Sequence, residues 1–188
     1  MLASEMSARR HSTPTDEASS VCAIEPSQST LHVFHIDDST DDHLLLKAAA
    51  EFANVPFTWD VAESADVAIF YLRALLELRE KHFVRWPDLV LLDVSLPRGG
   101  GFKVLKFIRE IPELSTLPVV VLSGSDEPGI SEQAYQLGAN SVFSKPAAFR
   151  DLVKLTVSLH ATSSATRRLS ADVSPIADVI HWAAGPAQ

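Results

Sequence analysis

Five positions carry the chemistry that this sequence can do: the acidic pair Asp37-Asp38, then Asp93, Ser123 and Lys145. Each stands where a short apolar run stops. Residues 31–36 run into Asp37-Asp38, 89–92 into Asp93, 117–122 end at Ser123, and 141–144 run into Lys145-Pro146. Runs of that length read as strands of a parallel sheet, and the runs into Asp93 and Ser123 as fully buried ones. Such a strand has no packing use for an ionised carboxylate, so Asp93 calls for a chemical reason. Three carboxylates gathered in one pocket repel; at ~5 Å and an effective dielectric of ~20, each pair costs roughly 3 kcal/mol. A hard divalent cation removes that cost, and Mg²⁺ favours a few carboxylates with water or phosphate in its other positions. Lys145 adds a movable point charge opposite the acids. With its surroundings neutralised, Asp93 can attack a phosphorus centre and form an aspartyl phosphate. The metal and Lys145 would stabilise the transferring oxygens, and Ser123 would donate a hydrogen bond to one of them.

Singly, each position has a plainer explanation. Asp37-Asp38 could open a helix, Asp93 could cap one, Ser123 could be a turn hydroxyl, and Lys145-Pro146 could be a surface turn. What favours chemistry is the conjunction: four separate strand ends each carry the residue type required.

The elements that must deliver these groups follow from periodicity. Strands are expected over 31–36, 56–61, 89–93, 117–122 and 141–144. Between them lie helical patterns: one over 43–52 with Ser39 or Thr40 as N-cap and Asp41 and Asp42 in its positive first turn, and one from about Ser64. In that second helix Val67, Phe70, Tyr71, Ala74, Leu75 and Leu78 fall at helical spacing. A third helix starts near Gly101 with Val104, Leu105 and Ile108 on its apolar face, and a short one spans 128–137, stopped by Gly138. Phe149, Leu152, Val153, Leu155, Thr156 and Leu159 mark the last. Five β–α units without hairpin turns imply an α/β fold, a doubly wound parallel sheet with helices on both faces. The size suits a flavodoxin-like strand order, 2-1-3-4-5. Its crevice lies where the first and third strands diverge, between Asp37-Asp38 and Asp93.

Composition sets the outer limits. The 188 residues, 46% hydrophobic, suffice for one core-bearing domain with extensions. A net charge of −8 argues against a broad nucleic-acid surface, and the single cysteine, Cys22, excludes an intrachain disulfide. No apolar stretch is long enough for a bilayer, and the first residues lack the layout of a secretory signal, so a soluble, cytoplasmic protein is expected. Residues 1–30 read as a flexible arm, 31–161 as the domain, and 162–188 as a C-terminal extension. In that extension Ser174-Pro175 opens either a short helix over 175–184 or a loosely ordered tail. It is too short for an independent DNA-binding domain of the usual kind.

From Leu31 to Ala161 the chain resembles the receiver domain of two-component response regulators. The likeness rests on Asp37-Asp38, the segment Leu91-Leu92-Asp93-Val94-Ser95-Leu96-Pro97 with Gly101, Ser123, and Lys145-Pro146. It implies that Asp93 accepts a phosphoryl group from a sensor histidine kinase or a phosphotransfer protein. It implies Mg²⁺ held by Asp38, Asp93 and the Ser95 backbone carbonyl, with Asp37 acting through water. It further implies a Lys145 that pairs with the phosphoryl group, a Ser123 that moves toward it, and a cis Lys145–Pro146 peptide. The long second helix and the spacing around Asp37-Asp38 are similar to the subgroup that partners phytochrome-type sensor kinases. Output would then be docking to another protein, with a homodimer among the options. One departure stands out: the family's usual aromatic three residues before the lysine is Val142 here, while strand alternation sends Phe143 to the opposite face. Two other functions use part of this set: a receiver-like scaffold that is never phosphorylated, and an Asp-nucleophile phosphohydrolase. The hydrolase wants a general acid shortly after the nucleophile, where Val94 and Ser95 stand instead.

Overall fold

A computed structural model describes residues 30–79, 84–124 and 129–169. All but the last residue of the expected arm, Ser125, Pro128 and the expected 175–184 helix lie outside these. Five strands alternate with helices: β1 (Leu31–Ile36), α1 (Thr40–Phe52), β2 (Phe57–Ala62), α2 (Ala65–Glu77), β3 (Leu89–Asp93), α3 (Gly100–Glu110), β4 (Val119–Ser123), α4 (Ile130–Gln136), β5 (Ser141–Ser144) and α5 (Phe149–Leu169). A single turn of 3₁₀ helix, Pro97–Gly99, joins β3 to α3. All strand pairs are parallel and the order is β2-β1-β3-β4-β5. This is the flavodoxin-like arrangement anticipated from the sequence.

Every residue of β1, β3 and β4 is buried, as expected for central strands covered on both faces. On one face Phe34, Ile36, Val90, Leu92, Val119 and Val121 pack with side chains of α2, α3 and α4. On the other, Leu31, Val33, Leu89, Leu91, Val120 and Leu122 pack with Leu46 of α1 and Leu155 and Leu159 of α5. The period of two along each strand thus divides the core between the two layers. β2 and β4 begin later than the periodicity suggests because Pro56 and Pro118 have no N–H for the ladder. Their carbonyls still accept, from Leu31 N–H at 2.9 Å and Val90 N–H at 2.8 Å.

The stripe of α2 differs from the expected one. Val67 and Phe70 are 51% and 74% exposed, and the buried positions are Ala68, Leu72 and Leu75. This helix is apolar almost all round, so periodicity offers several stripes and the sheet selects among them. α4 is shorter than expected and is followed by Gly138 at φ +90. Among the described residues no helix is long and apolar enough to cross a membrane.

The start of α3 is pressed against the end of β3. A Cβ on Gly101 would lie 2.4 Å from both the Asp93 carbonyl oxygen and the Val94 Cα, so only glycine fits that approach. Gly101→Ala should therefore destabilise the protein by about 3 kcal/mol in urea unfolding. A loss under about 1 kcal/mol would contradict so close a contact.

Candidate functional site

The carboxyl edge of the sheet gathers side chains from four strand ends and one helix. Asp37 directly follows β1, and its N–H extends the ladder by donating to the Ala62 carbonyl at 3.0 Å. Its side chain is fully buried; Oδ1 accepts the Ser39 N–H at 2.9 Å. Ser39 caps α1 by accepting the Asp42 N–H at 3.2 Å, which directs the helix start toward the same edge. Asp38 is exposed beside Asp37. Asp93 closes β3, opposite Leu122 in register, and is buried with Oδ1 accepting the Ser95 N–H at 2.6 Å. Ser95 itself lies exposed in the following turn. Ser123, one residue beyond Leu122, is buried at the tip of β4 and pairs in register with Ser144. Its carbonyl accepts the Lys145 N–H at 2.7 Å, so the β4–β5 ladder fixes where the lysine leaves the sheet.

The Lys145 side chain joins these elements. Its Nζ lies 2.7 Å from Asp37 Oδ2, 2.8 Å from Asp42 Oδ2 and 2.8 Å from Asp93 Oδ2. Burial works against the ammonium, but the hydrogen bonds to Asp37, Asp42 and Asp93 outweigh it and hold its pKa above the ordinary lysine value. Burial pushes the Asp37 carboxyl up, against the pull of Lys145 and of the Ser39 N–H. Asp37, Asp38 and Asp93 each offer an oxygen, and the three oxygens lie within 4.8 Å of one another. An all-oxygen, carboxylate-rich donor set of this size matches a hard divalent cation such as Mg²⁺ or Mn²⁺ rather than a thiophilic metal.

Two features of the site were not read from the sequence. Asp42, expected only as a first-turn acid, is a third anionic contact of Lys145; its place in the first turn of a helix that starts at the carboxyl edge is the available signal. The second is an imidazole pair beneath Asp37. His43 Nε2 lies 2.9 Å from the Asp37 carbonyl oxygen, and His43 Nδ1 lies 2.7 Å from His35 Nδ1. Burial, then the neighbouring His43 and Lys145, lower the His35 pKa to about 3, so this imidazole is neutral. Alternation along β1 places His35 on the Asp37 face, and a histidine inside a fully buried strand was a visible cue.

One detail implied by the resemblance comes out otherwise, while the expected placement of Val142 and Phe143 on opposite faces holds. No peptide among the described residues is cis, so Lys145–Pro146 is trans, the lower-energy isomer of an X–Pro bond. At the usual aromatic position, Val142 packs in the layer of α2, α3 and α4, and Phe143 in the opposite layer. An aromatic does stand beside Val142, but it comes from α4: the Val142 N–H donates to the Tyr135 hydroxyl at 3.3 Å.

A family model described as "response regulator receiver domain" matches residues 33–156. Among curated proteins, Response regulator Rcp1 of Synechocystis is 28% identical over 120 residues, covering 64% of this chain and 80% of that protein. The KDP operon transcriptional regulatory protein KdpE of Escherichia coli is 38% identical over 95 residues, half of this chain; the match spans only 39% of that regulator's length. Among solved structures, the phosphorylated cyanobacterial phytochrome response regulator RcpA superposes with a TM-score of 0.63 at 29% identity, over 73% of this chain and 96% of that one. The Mn²⁺-bound form of Rcp1 superposes with a TM-score of 0.54 at 26% identity, over 67% and 88%.

Lys145 Nζ is the cation that Asp37, Asp42 and Asp93 share at this edge. Lys145→Ala should cost about 3 kcal/mol in urea unfolding without divalent cations, because it leaves buried carboxylates unpaired. Added Mg²⁺ should restore more stability to the variant than to the wild type. Equal stability of the two proteins in chelator would contradict this role.

Proposed function

The chain belongs to the response regulator receiver family of two-component systems, and from that premise we propose that it is a phosphorylation-dependent switch with Asp93 as the acceptor. The observation that carries the reading is the approach of Lys145 Nζ to 2.8 Å from the buried Asp93, beside carboxylate oxygens of Asp37 and Asp38. In this reading Asp38, Asp93 and the Ser95 backbone carbonyl would hold Mg²⁺, with Asp37 acting through water. When bound, the cation supplies charge neutralisation for the carboxylates and for the phosphoryl oxygens.

The remaining work falls to the protein's own groups. The Ser95 N–H holds Asp93 by Oδ1, which fixes the carboxylate plane before the reaction. A carboxylate oxygen of Asp93 attacks the phosphorus of a phosphohistidine. The P–N bond breaks, and the imidazole leaves with the electron pair and takes up a proton. Lys145 gives up contacts with Asp37 and Asp42 and pairs with a phosphoryl oxygen, while the Ser123 hydroxyl donates to another. The donor is a sensor histidine kinase or a phosphotransfer protein. Because the chain is similar to the phytochrome response regulator RcpA, a phytochrome-type kinase is the first donor to try. The added charge biases a two-state equilibrium in the surface around β4, α4 and β5, and the output is docking to another protein. The chain acts in this account in the cytoplasm as a signalling protein rather than a turnover enzyme, since Val94 and Ser95 offer no general acid after the acceptor.

Incubation with acetyl phosphate and Mg²⁺ should add one phosphoryl group by intact-mass measurement. The addition should vanish in chelator and in Asp93→Asn. Modification that persists in Asp93→Asn would contradict the assigned acceptor, and steady turnover of a generic phosphate ester would favour a phosphohydrolase.

A further inference from the structure

Besides the stripe that meets the sheet, α2 carries a second apolar stripe. Val67, Phe70, Ala74 and Leu78 recur at i, i+3, i+7 and i+11, which puts them on one face of the helix. Val67, Phe70 and Leu78 are exposed, and Ala74 is half-buried. Two contacts fix how this face is turned. On one flank the Arg73 guanidinium lies over the Phe107 ring of α3, 5.5 Å from its centroid. On the other the Tyr71 hydroxyl donates to the Asp60 carboxylate of β2, the outermost strand. The stripe therefore looks outward between α3 and the β2 edge of the sheet. Exposed apolar side chains are ordinary singly, but aligned along one helix face they mark a surface that another segment covers.

At its Leu78 end the stripe leads into a groove of about 380 Å³ at the amino edge of the sheet, away from Asp93. Ala74, Leu75, Leu78 and Val84 line it, together with the polar His32 and Arg85. Arg85 Nη2 donates to the Thr30 carbonyl at 2.7 Å, so the chain that precedes β1 joins the domain beside this groove. Between Arg10 and Thr30 the sequence has a single apolar run, Val21-Cys22-Ala23-Ile24, followed by Glu25-Pro26. The six positions from Ile24 to Thr30 span up to about 20 Å when extended. The stripe from Leu78 back to Val67 is about 17 Å long at the helical rise. The run can therefore reach it. A segment tethered so close has an effective concentration in roughly the millimolar range, so a small apolar contact is enough to hold it.

We propose that residues 21–24 dock on the outward stripe of α2, with Ile24 nearest the groove and Val21 toward Phe70, so that the chain's own N-terminal segment covers this face. Glu25, next in sequence, then comes near the Arg85 guanidinium, a charge of opposite sign. The docking is independent of the chemistry at Asp93, which lies at the other edge of the sheet.

Cys22, the single cysteine, stands inside the run and reports on it directly. The test follows its reaction with the thiol reagent DTNB in the full chain, each rate divided by that of the same protein unfolded in urea. The wild type should react about tenfold more slowly folded than unfolded, as a segment docked most of the time does. Phe70→Asp combined with Leu78→Asp should bring the folded rate within about twofold of the unfolded one. Val21→Ser combined with Ile24→Ser should do the same, and because both positions precede β1 this pair decides the matter if the α2 variant does not fold. A wild type that reacts as fast folded as unfolded overturns the proposal, as does slowing that the variants leave in place. Slowing that disappears on dilution assigns the face to a second copy of the chain and also overturns it, since docking within one chain does not depend on concentration.

Discussion

The ammonium of Lys145 among three carboxylates is the interaction on which the rest of this structure depends. Asp37, Asp42 and Asp93 come from three separate elements, and each lies within 2.8 Å of the same nitrogen. Without a cation at that point the edge of the sheet would hold converging like charges, two of them buried. Parallel strands are what make the convergence possible, since every β–α crossover returns the chain so that all strand tips share one edge. The hydrophobic layers on both faces hold those tips in place while leaving the edge itself polar.

The same arrangement explains how a small chemical change could alter a surface. One cation serves several anions, so a new anion at Asp93 competes for Lys145 with Asp37 and Asp42. Asp42 belongs to α1 and Lys145 follows β5, hence the competition links two elements 103 positions apart in sequence. On the other layer, the Tyr135 hydroxyl of α4 receives the Val142 N–H of β5. That contact gives α4 an aromatic link to the lysine-bearing strand where the family pattern would place the aromatic on the strand itself.

Much of this was legible beforehand because strand ends are easy to read. A buried apolar run that stops at Asp, Ser or Lys locates that residue along the strand axis, and the absence of hairpin turns makes all such ends neighbours. Asp37, Asp38, Asp93, Ser123 and Lys145 could be placed at one edge on those grounds. Asp42 could not, because its contact with Lys145 depends on how α1 packs beside β5. The buried face of α2 was misjudged for a related reason: with Val67, Phe70, Leu72 and Leu75 all apolar, periodicity does not say which stripe meets the sheet. The His35–His43 pair depends on the pitch of α1 relative to β1, which the buried histidine in β1 hints at but does not determine. The trans Lys145–Pro146 bond likewise follows from context, as both isomers are accessible to an X–Pro peptide.

A crystal structure with Mg²⁺ and beryllofluoride, a mimic of the acyl phosphate, would test the central claim most directly. The account predicts the mimic on Asp93, with Lys145 Nζ moved off Asp37 and Asp42 onto a fluoride. A Lys145 that keeps all three carboxylate contacts, with the mimic bound to another residue, would contradict it.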